Sequence, residues 1–136
     1  MALYFVDTWF LIARLDKSDP GYRNGVRLEQ RLGDASFVTH DGVLTEMLTY
    51  FSGYGDYWRG EVAAFVRQAL ASDRYTVVPL SRDVFLDALS MYERRLDKAY
   101  SLVDCMSMRL MLRAGITHVL SDDHHFSQEG FVLVNQ

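Results

Sequence analysis

Leu3-Tyr4-Phe5-Val6-Asp7-Thr8 decides how this chain is read. Four apolar residues, two of them aromatic and one β-branched, make a run too short for a helix and suited to a buried strand. Asp7 ends the run, and Thr8 opens a helix that carries Phe10, Leu11 and Leu15. A strand that leads straight into a helix calls for a crossover connection, and so for a parallel neighbour. Similar runs recur at Phe37-Val38-Thr39, Tyr75-Thr76-Val77-Val78, Thr117-His118-Val119-Leu120 and Phe131-Val132-Leu133-Val134.

Helical stretches fill the intervals. Asp19 reads as the N-cap of a helix with Pro20 in its first position, running to Leu32 and ended by Gly33. Asp41 reads as the cap of a helix with Val43, Leu44, Met47, Leu48 and Phe51 on one side, stopped by Gly53 and Gly55. Val62, Phe65, Val66, Ala69 and Leu70 follow the spacing of an amphipathic helix. Ser81 caps a further helix, with Val84, Phe85, Ala88, Leu89 and Tyr92 on its stripe. Ser101 to Ala114 is apolar nearly all round, which predicts an interior helix closed by Gly115. The alternation predicts an α/β fold, a three-layer α/β/α arrangement around a central, mainly parallel sheet. With no repeat, low-complexity tract or linker, residues 1–136 read as a single domain.

Composition narrows the function. Apolar residues make up 49% of the 136 and charged residues 24%, an ordinary globular balance. The one cysteine, Cys105, forms no internal disulfide and reads as packing. The first residues lack a basic segment and meet Asp7 at once, unlike a signal peptide, and no run is long enough to span a membrane, so a cytoplasmic location is expected. Eighteen acids against fourteen bases give a net charge of −4, which argues against coating nucleic acid by bulk charge. What matters is where the acids sit.

In parallel α/β folds the functional crevice lies beyond the carboxyl ends of the strands. Asp7 follows the first strand, and Asp122 and Asp123 follow the strand ending at Leu120. Asp104 lies in the first turn of the interior helix, where an unpaired carboxylate is costly. Glu46 sits on the flank of its helix. Converged, these acids repel one another unless a cation compensates. An all-oxygen set without clustered Cys or His suits Mg²⁺ or Mn²⁺ better than Zn²⁺, and acid-bound ions of this kind support phosphodiester cleavage. Bland readings compete: Asp7 as a simple N-cap, Ser101 and Asp104 as a capping box, Asp122 and Asp123 as loop acids, His125 as packing after the strand.

Val6-Asp7-Thr8, Thr45-Glu46, Ser101-Leu102-Val103-Asp104-Cys105-Met106-Ser107 and Ser121-Asp122-Asp123-His124-His125-Phe126 resemble, in that order across the whole chain, the four acidic motifs of PIN-domain nucleases. The resemblance is greatest to VapC-type toxins of bacterial toxin–antitoxin pairs. It implies a PIN-like fold, Mg²⁺- or Mn²⁺-dependent endoribonuclease activity on RNA, a small protein antitoxin as partner, and a homodimer. By position it makes Asp7, Glu46, Asp104 and Asp123 the catalytic acids, with Asp7, Asp104 and Asp123 as metal ligands. Thr8, Ser101, Ser121 and Asp122 would support them, and either Asp122 or Asp123 can be the one facing the ion.

Arg23, Arg27 and Arg31 share one helical stripe, and Arg94 and Arg95 precede the Asp104 motif; these are the candidate RNA contacts. The aromatics Tyr50, Phe51, Tyr54, Tyr57 and Trp58 suit base stacking, a dimer interface or an antitoxin helix equally. A haloacid-dehalogenase-like phosphatase is excluded because Asp7 is followed by Thr8-Trp9 rather than Asp-x-Asp. A phospho-receiver is excluded because no lysine lies beyond Lys98. The remaining alternatives are a non-catalytic PIN-like binding module and a PIN nuclease that processes RNA outside a toxin–antitoxin pair. Two bound divalent ions would bring the net charge from −4 to about 0, so the acid excess is compatible with RNA contact.

Overall fold

The structure is a computed structural model that describes residues 2–136. Its elements, in order, are β1 (Leu3–Val6), α1 (Thr8–Leu15), α2 (Tyr22–Arg31), β2 (Ser36–His40), α3 (Asp41–Phe51), α4 (Asp56–Ala71), β3 (Tyr75–Val78), α5 (Arg82–Arg94), α6 (Leu102–Ala114), β4 (His118–Leu120), α7 (His124–Gln128) and β5 (Val132–Leu133). The five strands form one sheet in the order β3-β2-β1-β4-β5, parallel throughout. This matches the expected α/β/α fold, with the sheet wholly rather than mainly parallel.

β1 is central because it is buried on both sides. Phe5 and Val6 are fully buried, and Phe5 pairs in register with Val38 on β2 and Val119 on β4. The chain steps outward from β1 through β2 to β3, then returns to the other side of β1 as β4. The order therefore reverses between β1 and β4, and a crevice opens at their carboxyl ends. Phe10, Leu28, Phe37, Met47, Phe51, Met108 and Phe126 fill the core around the sheet. Five of the six methionines are buried there, filling irregular gaps as flexible side chains do.

Four local expectations change. Asp19-Pro20 starts a turn rather than the helix: the Asp19 carboxylate accepts from Gly21 N at 2.8 Å, and α2 begins at Tyr22. Gly25 then lets α2 lie close to α1, since a Cβ there would meet that of Ala13 at 3.2 Å. The cap of α3 is His40, not Asp41; His40 Nδ1 accepts from Gly42 N at 3.0 Å, and Nε2 meets Ser107 Oγ at 2.9 Å. Asp41 is the first helical residue and instead accepts from Leu80 N at 3.1 Å, tying α3 to the segment after β3. The interior helix α6 is buried only over its first turns; Leu112 to Ala114 are exposed. The stripes of α4 and α5 are likewise narrower than their patterns, with Leu70 and Tyr92 exposed. The Ser81 cap and the Gly115 left-handed stop form as expected.

Candidate active site

The crevice at the β1/β4 end gathers acids from four segments. Asp7 occupies the N-cap position of α1 but makes no side-chain cap bond. Its Oδ2 accepts from Ser121 Oγ at 2.6 Å, just beyond the end of β4. Ser121 Oγ in turn accepts from Asp123 N at 3.1 Å, so one buried hydroxyl fixes two acid-bearing strand ends. Thr8 donates from Oγ1 to Glu46 Oε1 at 2.6 Å, linking α1 to α3.

Asp104 is held by a full capping box. Asp104 N donates to Ser101 Oγ and Ser101 N donates to Asp104 Oδ2, both at 3.0 Å. Asp104 Oδ2 also lies 3.1 Å from His125 Nδ1, which is 3.4 Å from Asp123 Oδ1. Asp123 caps α7 by accepting from His125 N at 2.9 Å. The capping box and the cleft position thus coexist. In Glu46, Asp104 and Asp123, one carboxylate oxygen is held by protein donors while the other accepts no bond from a described residue.

Electrostatics follow from the packing. Asp7, only 9% exposed, has its pKa raised from 3.8 to about 7. Burial is the main cause; the Ser121 and Thr8 hydrogen bonds oppose it, and Glu46 and Asp104 add repulsion. Glu46 reaches solvent at the cleft edge, yet partial desolvation lifts its pKa too. The Thr8 bond opposes that lift, and the charges of Asp104 and Asp123 add to it. Among the described residues no lysine or arginine forms an ion pair with any of these four acids. Asp104, Asp123 and His125 each offer a ligand atom, all within 4.8 Å of one another. The carboxylates of this set suit a hard divalent cation, and the imidazole nitrogen adds a softer donor beside them.

Asp122 turns away. It lines a separate groove with Trp9, Asp19, Asn24 and Asn135, and desolvation raises its pKa. His124 and His125 diverge as well: His124 is exposed, and His125 faces the acids. His125 is the site residue that sequence reasoning missed. Its signal was the Asp123-x-His125 spacing, which on a short helix lets the ring fold back over its own cap. Tyr100 packs its ring edge-on to His125 at 5.3 Å and donates to Glu129 at 2.8 Å. Glu129 also receives Arg95, so Arg95 is engaged within the fold. Arg23, Arg27, Arg31 and Arg94 are exposed. Cys105 is buried, its thiol pKa pushed up by desolvation, which suits packing rather than nucleophilic attack.

A model of the PIN domain matches residues 4–131, and the chain belongs to the PIN-domain family. Seven chains of known structure match it. One is Mycobacterium tuberculosis VapC20, described as a sarcin–ricin loop cleaving toxin: it is 25% identical, superposes with a TM-score of 0.83, and the match covers 96% of this chain and 97% of that one. Comparison with curated protein sequences finds no match. The likeness to VapC-type proteins read from the acidic motifs thus extends over the whole fold.

Proposed function

We propose that this protein is a divalent-metal-dependent endoribonuclease, the toxin of a toxin–antitoxin pair. The observation that carries the reading is the mutual repulsion of Asp7, Glu46, Asp104 and Asp123, with no lysine or arginine among the described residues paired to them. Asp7, Asp104 and Asp123 would hold Mg²⁺ or Mn²⁺, with His125 beside them. When bound, such an ion supplies charge neutralisation and activation at a phosphodiester.

The chain's own residues do the rest. Ser121 and the Ser101 capping box hold Asp7 and Asp104 in fixed orientations, as a site that depends on positioning requires. Thr8 holds Glu46 Oε1 and leaves Oε2 to accept a proton from an attacking water, a role favoured by its raised pKa. Arg23, Arg27 and Arg31 run along an exposed face of α2 and suit contacts to an RNA backbone. The likeness to VapC20, described as a toxin, supports the toxin assignment; a small protein antitoxin, a homodimer and action in the cytoplasm belong to the same proposed reading.

The test is incubation of purified protein with total RNA, with and without Mg²⁺ or Mn²⁺, beside Asp7→Asn and Asp104→Asn. Metal-dependent cleavage at few sites, lost in both variants, is expected. Equal cleavage by the variants would refute the assignment. A small DNA-binding protein encoded next to this chain would mark a toxin rather than a processing nuclease.

A further inference from the structure

A groove of about 610 Å³ opens directly beside the acids. Thr8 of α1, Glu46, Thr49 and Tyr50 of α3, and Val103 and Met106 of α6 are among the residues that line it. Its walls adjoin the cluster on three sides. Thr8 follows Asp7, Val103 precedes Asp104, and Glu46 belongs to both the groove and the cluster. Apart from Glu46 and a few hydroxyls the exposed lining is mainly apolar and holds no cation, so it repels phosphate and favours an uncharged, flat, largely apolar group. At its rim the ring of Tyr50 is 42% exposed and is kept in place by the rings of Phe51 and Tyr54, at 4.9 and 5.5 Å. The hydroxyl of Thr45 is spent on Asp41 O, whereas that of Thr49, also in the lining, makes no bond to a described residue.

We propose that this groove receives the unpaired base of a nucleotide flanking the scissile phosphate, with Tyr50 stacking on it and Thr49 bonding its edge. The inference rests on the nuclease reading for the phosphate's position. A strand whose phosphate meets the acids has its neighbouring base at the groove mouth, because acids and groove share Glu46. Recognition of RNA by stacking an unpaired base on an aromatic ring, with one or two polar contacts to its edge, gives base preference without a basic surface.

The test uses the full chain with short single-stranded homopolymers of A, C, G and U and an abasic ribose-phosphate of the same length. Binding is followed by fluorescence anisotropy with Ca²⁺ present. Wild type is expected to favour at least one homopolymer over the abasic strand by roughly tenfold. Tyr50→Ala should remove most of that preference while leaving abasic binding unchanged, and Thr49→Val should alter which base is preferred. Both side chains are exposed, so neither change disturbs the core. Equal effects on homopolymer and abasic strands, or none, would overturn the proposal. So would unchanged RNA binding with a loss of self-association in Tyr50→Ala, which would make the groove a contact between copies. Unchanged RNA binding with loss of a bound protein partner would overturn it in favour of a peptide occupant. A wild type that binds bases through Tyr50 but cleaves no RNA would refute the nuclease reading and keep this one; failure of both would remove both.

Discussion

Replacing Asp7 by asparagine is expected to make the metal-free protein more stable while abolishing cleavage. Asp7 is buried, and its carboxyl is raised from 3.8 to about 7. Ionising it in the fold therefore costs about 4 kcal/mol relative to the unfolded chain. Asparagine removes that cost and keeps an oxygen to accept from Ser121. Because the folded pKa lies above the unfolded one, the folded state holds the extra proton between about pH 4 and 7. Stability due to Asp7 falls as pH rises through that window, and the cost is complete above it.

His40 works in the opposite sense. Burial lowers its pKa from 6.5 to about 4, so its contribution is full above 6.5 and is lost as pH falls toward 4. The two oppose each other over nearly the same range, so the difference between wild type and variant isolates Asp7. The assay is urea unfolding followed by circular dichroism, with a chelator present, from about pH 4.5 to 8. The expected gap favours Asp7→Asn by about 1–4 kcal/mol at the alkaline end and narrows toward the acid end. A variant no more stable than wild type at about pH 8, or a gap that does not narrow, would refute the reasoning.

Millimolar Mn²⁺ should raise the melting temperature of wild type and do so less for Asp7→Asn and Asp123→Asn, as read by differential scanning fluorimetry. Ser107→Ala should cost about 1–3 kcal/mol in urea unfolding, because it strips the buried His40 Nε2 of its hydroxyl partner. Gly42→Ala should also destabilise, despite alanine's higher helix propensity, since its Cβ would meet the His40 ring at 2.8 Å; a stability gain would show that the ring moves freely. Ser101→Ala should cost about 1 kcal/mol through loss of the Asp104 N bond to Ser101 Oγ and also lower kcat by loosening the turn that carries Asp104, whereas Ser81→Ala should cost stability alone.

The strands were legible because they are short apolar runs, and Asp7 and Asp123 because they follow such runs; Glu46 and Asp104, on helices, stood out only through the family motifs. Helix starts were less legible. Asp19 and Asp41 have the chemistry of caps, but Asp19 is taken by the tight Pro20-Gly21 turn and Asp41 by Leu80 N, a partner 39 residues away. The His40 cap depends on Ser107, which only tertiary packing brings near. The choice between Asp122 and Asp123 was likewise a matter of direction. Consecutive residues leaving a strand point opposite ways, and Ser121 Oγ selects Asp123 by holding its backbone amide. His125 escaped notice because its role needs the single helical turn of α7, too short to show a period.

The reversal of strand order at β1 has a consequence in time. Asp7 meets Ser121, 114 residues further on, only when β4 has taken its place beside β1. Glu46 and Asp104 can be ordered earlier, but the set is incomplete until then. A chain still emerging from the ribosome thus has its acids in pieces until β4 has been made and has docked.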